Sequence, residues 1–329
     1  MRVGIDASPL AQTRAGTARY LERLLPGLDA RSDLDVVRLR FGGPGRGAAA
    51  VRDAYWYPIG LSRAARQARL DILHCPTFRA PLRRRLPLVL TVHDLAVLRF
   101  PEAFNAWTRN YSKRAVPRAV READAVIAVS EFTKRELIEL LRVPAEKIRV
   151  VPNAPGEEFV PGGAAEEGEY VLTVGTLEPR KNLPRLGAAA RRAGVELRIV
   201  GARGWGGVET DGSSARWLGF VTDDELARLY RGALCVAYPS LYEGFGLPVI
   251  EAMACGAAVV TSAGSATEEV AGGAAVLVDP RDPDAIASGI QEAIERREEL
   301  GRRGLARAAE FSWARAAEQT AAVYREVAS

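Results

Sequence analysis

Two glutamates with seven residues between them, Glu243 and Glu251, lie where a predicted strand leads into a predicted helix. The apolar run 234–238 predicts a buried strand, and a glycine-containing loop then enters a helix at Leu247 with Pro248 in its first turn. The first backbone N–H groups of such a helix favour phosphate or sugar oxygens. Carboxylates at that position favour hydrogen bonds from neutral donors such as sugar hydroxyls. Surface acids on an ordinary strand-helix unit are the alternative interpretation.

The segment 243–256, EGFGLPVIEAMACG, resembles the E-x7-E signature of retaining glycosyltransferases of family 4. The resemblance implies an α/β protein of the GT-B fold, in which two doubly wound, Rossmann-like parallel-sheet domains face each other across a cleft. It also implies that Glu243 faces the donor sugar and that Glu251 holds the ribose hydroxyls of the nucleotide. The sugar and the distal phosphate would be cradled by four consecutive backbone amides, those of Gly244, Phe245, Gly246 and Leu247.

An adjacent pair of cations, Arg180 and Lys181, follows the predicted strand 170–174. A diphosphate that leaves a sugar gains negative charge, which a forked arginine and a compact lysine can neutralise. The segment GTLEPRKN, beginning at Gly175, resembles the donor-phosphate segment of the family, and Arg180 and Lys181 match its basic pair. Many family members have an arginine where this chain has Thr176. That departure weakens the phosphate contact or means that another residue supplies the cation. A solvated charge pair is the alternative interpretation.

Both histidines of the chain, His74 and His93, end apolar runs. The pair His93-Asp94 resembles the family's H-D pair, which implies that His93 reaches the donor sugar and that Asp94 positions the loop. A buried core histidine is the alternative for His93. His74 matches a less specific family position and is interpreted as structural. Gly16 opens a helix after the first strand, and its segment GTARY is similar to the family's GIGRY, which borders donor phosphate and acceptor. A helix start without a ligand is the alternative for Gly16.

The side chains in the sequence do not identify which nucleobase is bound, and they do not indicate a metal site. The segment 217–221, WLGFV, resembles the family segment whose backbone meets the base, which places Val221 there and leaves the base undetermined. Asp33 and Asp35 form a D-x-D sequence that another glycosyltransferase fold uses to bind a divalent ion. They precede a strand, however, at the wrong end of a sheet for a ligand. With no His/Cys ligand set either, we expect transfer without a metal or other cofactor.

Short apolar runs alternate with amphipathic helical stretches, the pattern of parallel sheets covered by helices. The stretch 152–169 is rich in Pro, Gly and acids and predicts a linker. We therefore expect an acceptor-side domain over 1–155 and a nucleotide-sugar-binding domain over 156–311, and the resemblance implies that a terminal helix within 312–329 completes the first domain. The predicted strands are 3–6, 36–40, 72–75, 88–93, 125–129 and 148–151, then 170–174, 197–200, 215–218, 234–238, 258–261 and 275–278.

Composition and charge limit the location and the partners of the chain. Its 329 residues are 48% hydrophobic, and its three cysteines lie in apolar runs, which predicts reduced core residues. No apolar run approaches the roughly 20 residues of a membrane span, and no signal-peptide pattern opens the chain, so we expect a cytoplasmic protein.

Residues 1–160 carry 27 basic and 17 acidic side chains, whereas the remainder carries 18 basic and 24 acidic side chains. The basic half, with its arginine cluster 83–85, predicts contact with an anionic partner such as a membrane surface, a lipid-phosphate acceptor or nucleic acid. A solvated, arginine-rich surface is the alternative interpretation.

The leading hypothesis is a retaining, metal-independent glycosyltransferase. It would move a mannose- or glucose-like hexose from a nucleotide diphosphate sugar to a hydroxyl of a saccharide, lipid-linked or small-molecule acceptor, with peripheral membrane contact and no nucleic acid. One alternative is a sugar-nucleotide epimerase on a similar fold, which does not release nucleotide in response to an acceptor. The other is a non-enzymatic basic protein that binds polyanions or membranes with strong salt dependence and no turnover.

Overall fold

A computed structural model of the chain describes residues 1–12, 16–43, 45–82, 86–104, 106–204 and 215–328. The chain divides into two compact units. Unit 1 consists of Met1–Asn153 and Trp313–Ser329, and unit 2 consists of Ala154–Ser312. The arginine cluster 83–85 lies outside the described residues.

Unit 1 is built on a parallel six-stranded sheet with the order β2-β1-β3-β4-β5-β6. Its strands are β1 (Arg2–Asp6), β2 (Asp35–Leu39), β3 (Ile72–Cys75), β4 (Leu88–Val92), β5 (Ala125–Ala128) and β6 (Ile148–Val150). Within Met1–Asn153 its helices are α1 (Gly16–Asp29), α2 (Arg46–Val51), α3 (Leu61–Gln67), α4 (Ala96–Arg99), α5 (Ala106–Glu122) and α6 (Glu131–Leu141). A π-helical stretch, Arg52–Gly60, joins α2 to α3.

The central strands β3, β4 and β5 are buried along their whole length, which explains why they are largely apolar. Successive strand residues point to opposite faces. Ile72 and Val89 accordingly pack in one apolar cluster with Leu21 of α1, whereas Leu73 and Leu90 pack in a second cluster. The sheet is therefore a rigid layer whose loops can carry functional side chains.

Unit 2 contains a second parallel six-stranded sheet, with the order β12-β11-β10-β7-β8-β9. The strands are β7 (Tyr170–Val174), β8 (Glu196–Val200), β9 (Ala215–Gly219), β10 (Cys235–Tyr238), β11 (Val259–Ser262) and β12 (Val276–Val278). The helices are α7 (Leu183–Ala193), α8 (Asp223–Gly232), α9 (Leu247–Ala254), α10 (Ala266–Ala271), α11 (Pro283–Glu295) and α12 (Arg297–Ala308).

The chain ends in α13 (Trp313–Ala328), which packs against α1 in unit 1 through residues such as Ala317 and Tyr324. The twelve strands predicted from the sequence are confirmed, and their ends agree within one residue. The three cysteines are buried and free, as expected. Among the described residues, none of the helices has both the length and the apolar character needed to cross a membrane.

Candidate functional site

The strand order of unit 2 brings its two chemically distinctive loops together. The chain runs from β7 to β8 and β9 on one side, then crosses to β10, β11 and β12 on the other, so β7 and β10 are neighbours. Ligands of open parallel sheets bind beyond the carboxyl ends of strands at such a reversal. The loop after β7 carries Arg180 and Lys181, and the loop after β10 carries Glu243.

The two loops are fixed to each other by backbone and amide hydrogen bonds. Arg180 and Lys181 end a short 3-10 helix, Pro179–Lys181, and Asn182 follows in the left-handed conformation with φ of 60°. The Asn182 side chain donates to the Pro239 carbonyl at 3.0 Å, and the Leu241 amide donates to the Arg180 carbonyl at 2.8 Å. The position of the cations therefore depends directly on the loop that carries Glu243.

Glu243 is the centre of a buried polar network. Lys181 Nζ donates to its Oε1 at 2.6 Å, and Arg180 Nη1 donates to its Oε2 at 3.1 Å. The Tyr238 hydroxyl donates to Oε1 at 3.0 Å and accepts from Lys181 Nζ at 2.5 Å. Burial opposes ionisation of Glu243, but the charges of Lys181 and Arg180 outweigh it and lower the pKa of Glu243 to about 2. Glu243 is thus an anion throughout the physiological range.

Glu178 holds the other arm of Arg180. Its carboxylate is buried and lies 2.7 Å from Arg180 Nη2, so one guanidinium is shared between Glu178 and Glu243. An arginine held at two points has little freedom to change its orientation. The structure therefore presents a preorganised cationic edge beside Glu243.

Lys181 retains capacity to bind a further anion. An ammonium has three N–H donors, and Tyr238 and Glu243 receive two of them. The third has no hydrogen-bond partner in the described part of the chain. Burial lowers the pKa of Lys181, and the neighbouring Glu243 charge partly offsets that effect. An anionic ligand would raise that pKa again and stabilise the charged form.

Helix α9 begins as the sequence predicts, at Leu247 with Pro248 in the first turn. Gly246 precedes it with φ of 101°, and a Cβ at that position would lie 2.6 Å from Thr267 Cγ2, so glycine is required there on two grounds. The Phe245 ring is buried and packs edge-on against Phe311 at 6.0 Å. Its side chain is therefore part of the core, and only its backbone is available to a ligand.

Glu251 lies on the buried side of α9 and is not part of the Glu243 network. It is 3% exposed, and Tyr230 of α8 donates its hydroxyl to Glu251 Oε2 at 3.3 Å. This long hydrogen bond orients one carboxylate oxygen. The two glutamates of the E-x7-E segment thus occupy different surroundings, one among cations and one against a tyrosine.

The loops after β7 and β8 touch through glycine backbone. A Cβ at Gly201 would lie 1.9 Å from the Gly175 carbonyl oxygen, so a side chain there would push the two loops apart. Trp217 of β9 donates its indole N–H to the Gly201 carbonyl at 2.8 Å. Val221 follows β9 in the turn before α8, where Thr222 caps the helix. Gly175 and Val221 therefore follow the carboxyl ends of β7 and β9, the two strands that lie on either side of β8.

In unit 1, His93 is the first residue after β4 and is partly buried. Its Nε2–H donates to the Pro76 carbonyl at 3.1 Å, a tautomer that leaves a lone pair on Nδ1. Burial lowers the pKa of His93 to about 4, so the ring is neutral at pH 7. The Tyr20 ring of α1 packs edge-on against His93 at 4.8 Å, and α1 begins at Gly16. The helix that Gly16 opens therefore contacts His93.

The structural interpretation of His74 agrees with its surroundings. It is fully buried, and its ring nitrogens are hydrogen-bonded to Tyr324 at 2.6 Å and to Thr91 at 2.8 Å.

Asp33 and Asp35 each form an ion pair with an arginine, Asp33 with Arg325 at 2.9 Å and Asp35 with Arg2 at 3.2 Å. Within the described ranges, no group of three or more His, Cys, Asp or Glu side chains is arranged to hold a metal ion.

Sequence reasoning missed Tyr238, Glu178 and Tyr20. Tyr238 ends β10 and Glu178 follows β7, so both lie at the carboxyl ends of parallel strands. That position is typical of ligand-binding residues and was a signal in the sequence. Tyr20 gave no such signal, because its contact with His93 joins residues from separate elements. Asp94 does position its loop as expected, since it accepts a hydrogen bond from the Ala96 amide at 2.9 Å.

Comparison with known proteins identifies the family. Residues 156–309 match the family model described as glycosyl transferases group 1, and residues 14–154 match that of glycosyltransferase family 4. The chain is 32% identical to O-antigen chain mannosyltransferase B of Escherichia coli, with 98% of this chain and 88% of the relative covered. It is also 32% identical to D-inositol 3-phosphate glycosyltransferase of Geodermatophilus obscurus, over 74% of this chain and 62% of the relative.

Solved structures show the same fold. Sucrose-phosphate synthase from Thermosynechococcus elongatus superimposes with a TM-score of 0.79 at 22% identity and covers 99% of this chain and 98% of its own. HepE of Anabaena, solved in complex with UDP-glucose, superimposes with a TM-score of 0.74 at 20% identity and 99% coverage of both chains. The family models, the near full-length relative and these folds agree with the paired parallel sheets described above. The chain belongs to the group 1 glycosyltransferases of family 4 and is a glycosyltransferase with the GT-B fold.

Proposed function

We propose that this glycosyltransferase is a retaining, metal-independent hexosyltransferase that uses a nucleotide diphosphate sugar. Unit 2 would bind the donor, and unit 1 would bind a saccharide, lipid-linked or small-molecule acceptor. The observation that carries the proposal is the contact of Lys181 Nζ with Glu243 Oε1 at 2.6 Å, beside Arg180 and at the reversal of the sheet. It joins a phosphate-neutralising group to a sugar-binding group within one site.

The role of Lys181 and Arg180 follows from the charge that develops during transfer. The departing diphosphate becomes more negative as the glycosidic bond breaks, and donors already aimed at it lower the barrier. Lys181 has one N–H left for that purpose, and Arg180 is held in place by Glu178 and Glu243. These two cations supply the neutralising charge that a divalent metal provides in other enzymes.

The ionisation of Glu243 supports a retaining reaction without a covalent glycosyl-enzyme. A carboxylate that two cations and the Tyr238 hydroxyl already bind is a weak nucleophile and a weak base, since its pKa is about 2. Glu243 is better suited to accept hydrogen bonds from sugar hydroxyls. The acceptor hydroxyl would then attack from the face that the diphosphate leaves, and the leaving group would take its proton.

The remaining roles concern binding. Glu251, oriented by Tyr230, would accept both ribose hydroxyls, and the amides from Gly244 to Leu247 would receive sugar and distal phosphate oxygens at the start of α9. His93, neutral and with a free lone pair on Nδ1, would accept a hydrogen bond from a sugar hydroxyl. Gly16, Gly175 and Val221 would offer backbone to acceptor, phosphate and base.

Mannose is the first sugar to test, because the relative that aligns over nearly the whole chain is named a mannosyltransferase. A thermal-unfolding screen should include GDP-mannose and UDP-glucose, since a true donor at about 100 times its dissociation constant adds roughly 2.7 kcal/mol of stability. Proton NMR of the product should show the anomeric configuration of the donor. An inverted product, or no stabilisation by any nucleotide sugar, would contradict the proposal.

A further inference from the structure

Unit 1 contains a cavity of about 370 Å³ that none of the proposed donor-binding residues lines. It lies between helix α5 and the segment that follows β3. Its apolar walls include Phe78, Leu82, Trp107 and Tyr111, and its rim includes Arg114. Cavities of roughly 300–1,000 Å³ with apolar walls and a few polar groups are typical of small-molecule sites.

The apolar wall is unusually exposed. Trp107 is 68% exposed and Leu82 is 51% exposed. The Trp107 indole is nearly parallel to the Tyr111 ring, at 6.4 Å between centroids and an angle of 16°. Large apolar side chains grouped around a cavity indicate a surface that a ligand covers. A flat stack of rings beside a leucine suits a flexible hydrocarbon chain.

The charged side chains that line the cavity are Arg114, Arg118 and Glu122. Within α5, five side chains are basic, and Glu122 is the acidic one. Arg118 pairs with Glu122 at 2.9 Å and also donates to the Leu82 carbonyl, which ties the leucine wall to the helix. Arg114 is exposed at the rim and has no ion-pair partner in the part of the chain that the structure describes. The basic residues of α5 are Arg109, Lys113, Arg114, Arg118 and Arg121.

One wall of the cavity belongs to the segment that follows Pro76, the residue that His93 contacts. Pro76, whose carbonyl receives the hydrogen bond of His93, begins the segment that continues to Leu82. Both β3 and β4 end at this edge of the sheet, where parallel sheets bind ligands. A molecule whose reactive sugar lies near His93 could therefore extend its other end into the cavity.

We propose that this cavity binds the isoprenyl phosphate portion of a lipid-linked saccharide acceptor. The chain lies against Phe78, Leu82, Trp107 and Tyr111, and the phosphate meets Arg114. The inference rests on the proposed function and deepens it, because it assigns the acceptor class. A concave site with ring-lined walls encloses a single chain, and the rim charge complements a phosphate.

Farnesyl phosphate, used below its micellar concentration, is the probe. Calorimetry should show one binding site, weaker binding of farnesol and no binding of inorganic phosphate. Trp107→Ala should weaken farnesyl phosphate binding about tenfold, because the chain loses its largest wall. Arg114→Gln should weaken it by a similar factor and leave farnesol unaffected. The matched controls are Arg121→Gln, on the same helix but outside the cavity, and Leu140→Ala, an exposed leucine of α6; both should bind as the wild type does.

Three results would overturn the inference. The first is no binding of farnesyl phosphate, and the second is binding that neither Trp107→Ala nor Arg114→Gln weakens. The third is binding to phosphatidylglycerol vesicles without binding of farnesyl phosphate, which would assign this surface to a membrane instead. Titration of the same preparations with GDP and UDP tests the proposed function separately, since that binding should depend on Lys181 and be unaffected by Trp107→Ala.

Discussion

Replacing Glu243 with glutamine should strengthen binding of the nucleoside diphosphate while it lowers turnover. In the structure Glu243 neutralises the cations that we propose for the phosphate, with contacts of 2.6 Å to Lys181 and 3.1 Å to Arg180. A diphosphate must therefore share these cations with an internal anion. Glutamine keeps the shape and one acceptor oxygen but removes the charge, so the competition ends. Turnover should fall because the sugar loses its charged acceptor.

The magnitude follows from the geometry of one ammonium. A phosphate oxygen at about 2.8 Å from Lys181 Nζ, with Glu243 Oε1 at 2.6 Å on another N–H, puts the two anions only about 4–5 Å apart for a tetrahedral nitrogen. At an effective dielectric constant of about 20, their repulsion is roughly 4 kcal/mol per unit charge. Solvent screening and loss of the Glu243 contacts reduce the gain, so we expect affinity to rise about 10- to 100-fold, or ~1.4–2.8 kcal/mol.

The assay is calorimetric titration of the preferred nucleoside diphosphate at pH 7 into wild type, Glu243→Gln, Lys181→Met and the double variant. The gain from Glu243→Gln should largely disappear when Lys181 is absent, because the shared ammonium no longer holds the phosphate about 4–5 Å from Glu243. Thermal unfolding of each variant controls for damage to the fold, since a buried cation without its partner is destabilising. Affinity that stays the same or falls in folded Glu243→Gln would refute the proposed sharing of Lys181.

Four further results are expected. Glu251→Ala should weaken binding of donor and nucleoside diphosphate alike by roughly 1.5–3 kcal/mol, and equal calorimetric affinities would exclude the ribose role. Tyr238→Phe keeps the ring 4.9 Å from Lys181 Nζ but removes the hydroxyl that accepts a hydrogen bond from it. Turnover should fall about tenfold, and the alkaline limb of the pH–rate profile should move to lower pH because the charged ammonium loses an acceptor. An unshifted profile would contradict this role of Tyr238. Transfer should survive EDTA, and loss of activity that manganese restores would show that a metal is needed. The pKa of Glu243 is lower in the folded protein (about 2) than its ordinary value of 4.5, so its ionisation adds about 3 kcal/mol to the free energy of unfolding at pH 7. This contribution is lost as the pH falls from 4.5 towards 2. Urea unfolding should therefore show that the difference in stability between wild type and Glu243→Gln narrows between pH 7 and pH 3, and a constant difference would argue against this role of the charge.

The sequence by itself determined the elements and the chemical character of the site. Short, largely apolar runs of four to six residues, bounded by Gly, Pro and polar residues, are local signals, and they located the twelve strands. The start of α9 was equally local, because Pro248 fits the first helical turn and Gly246 fits a left-handed residue before it. The cap of α6 is also a local contact, since Ser130 accepts from the Thr133 amide at 3.0 Å.

Only the tertiary structure decided which of these residues meet. Lys181 and Glu243 are separated by 62 positions, and nothing between them specifies that β7 and β10 are neighbours in the sheet. That neighbourhood results from the packing of helices on both faces and from the reversal of strand order, which are properties of the whole unit. The same holds for Tyr20 beside His93, and for His74, whose partner Tyr324 comes from a helix 250 residues further along the chain. Residue types and local patterns specify which chemistry is available, whereas long-range packing specifies which groups share a proton, a charge or a ligand.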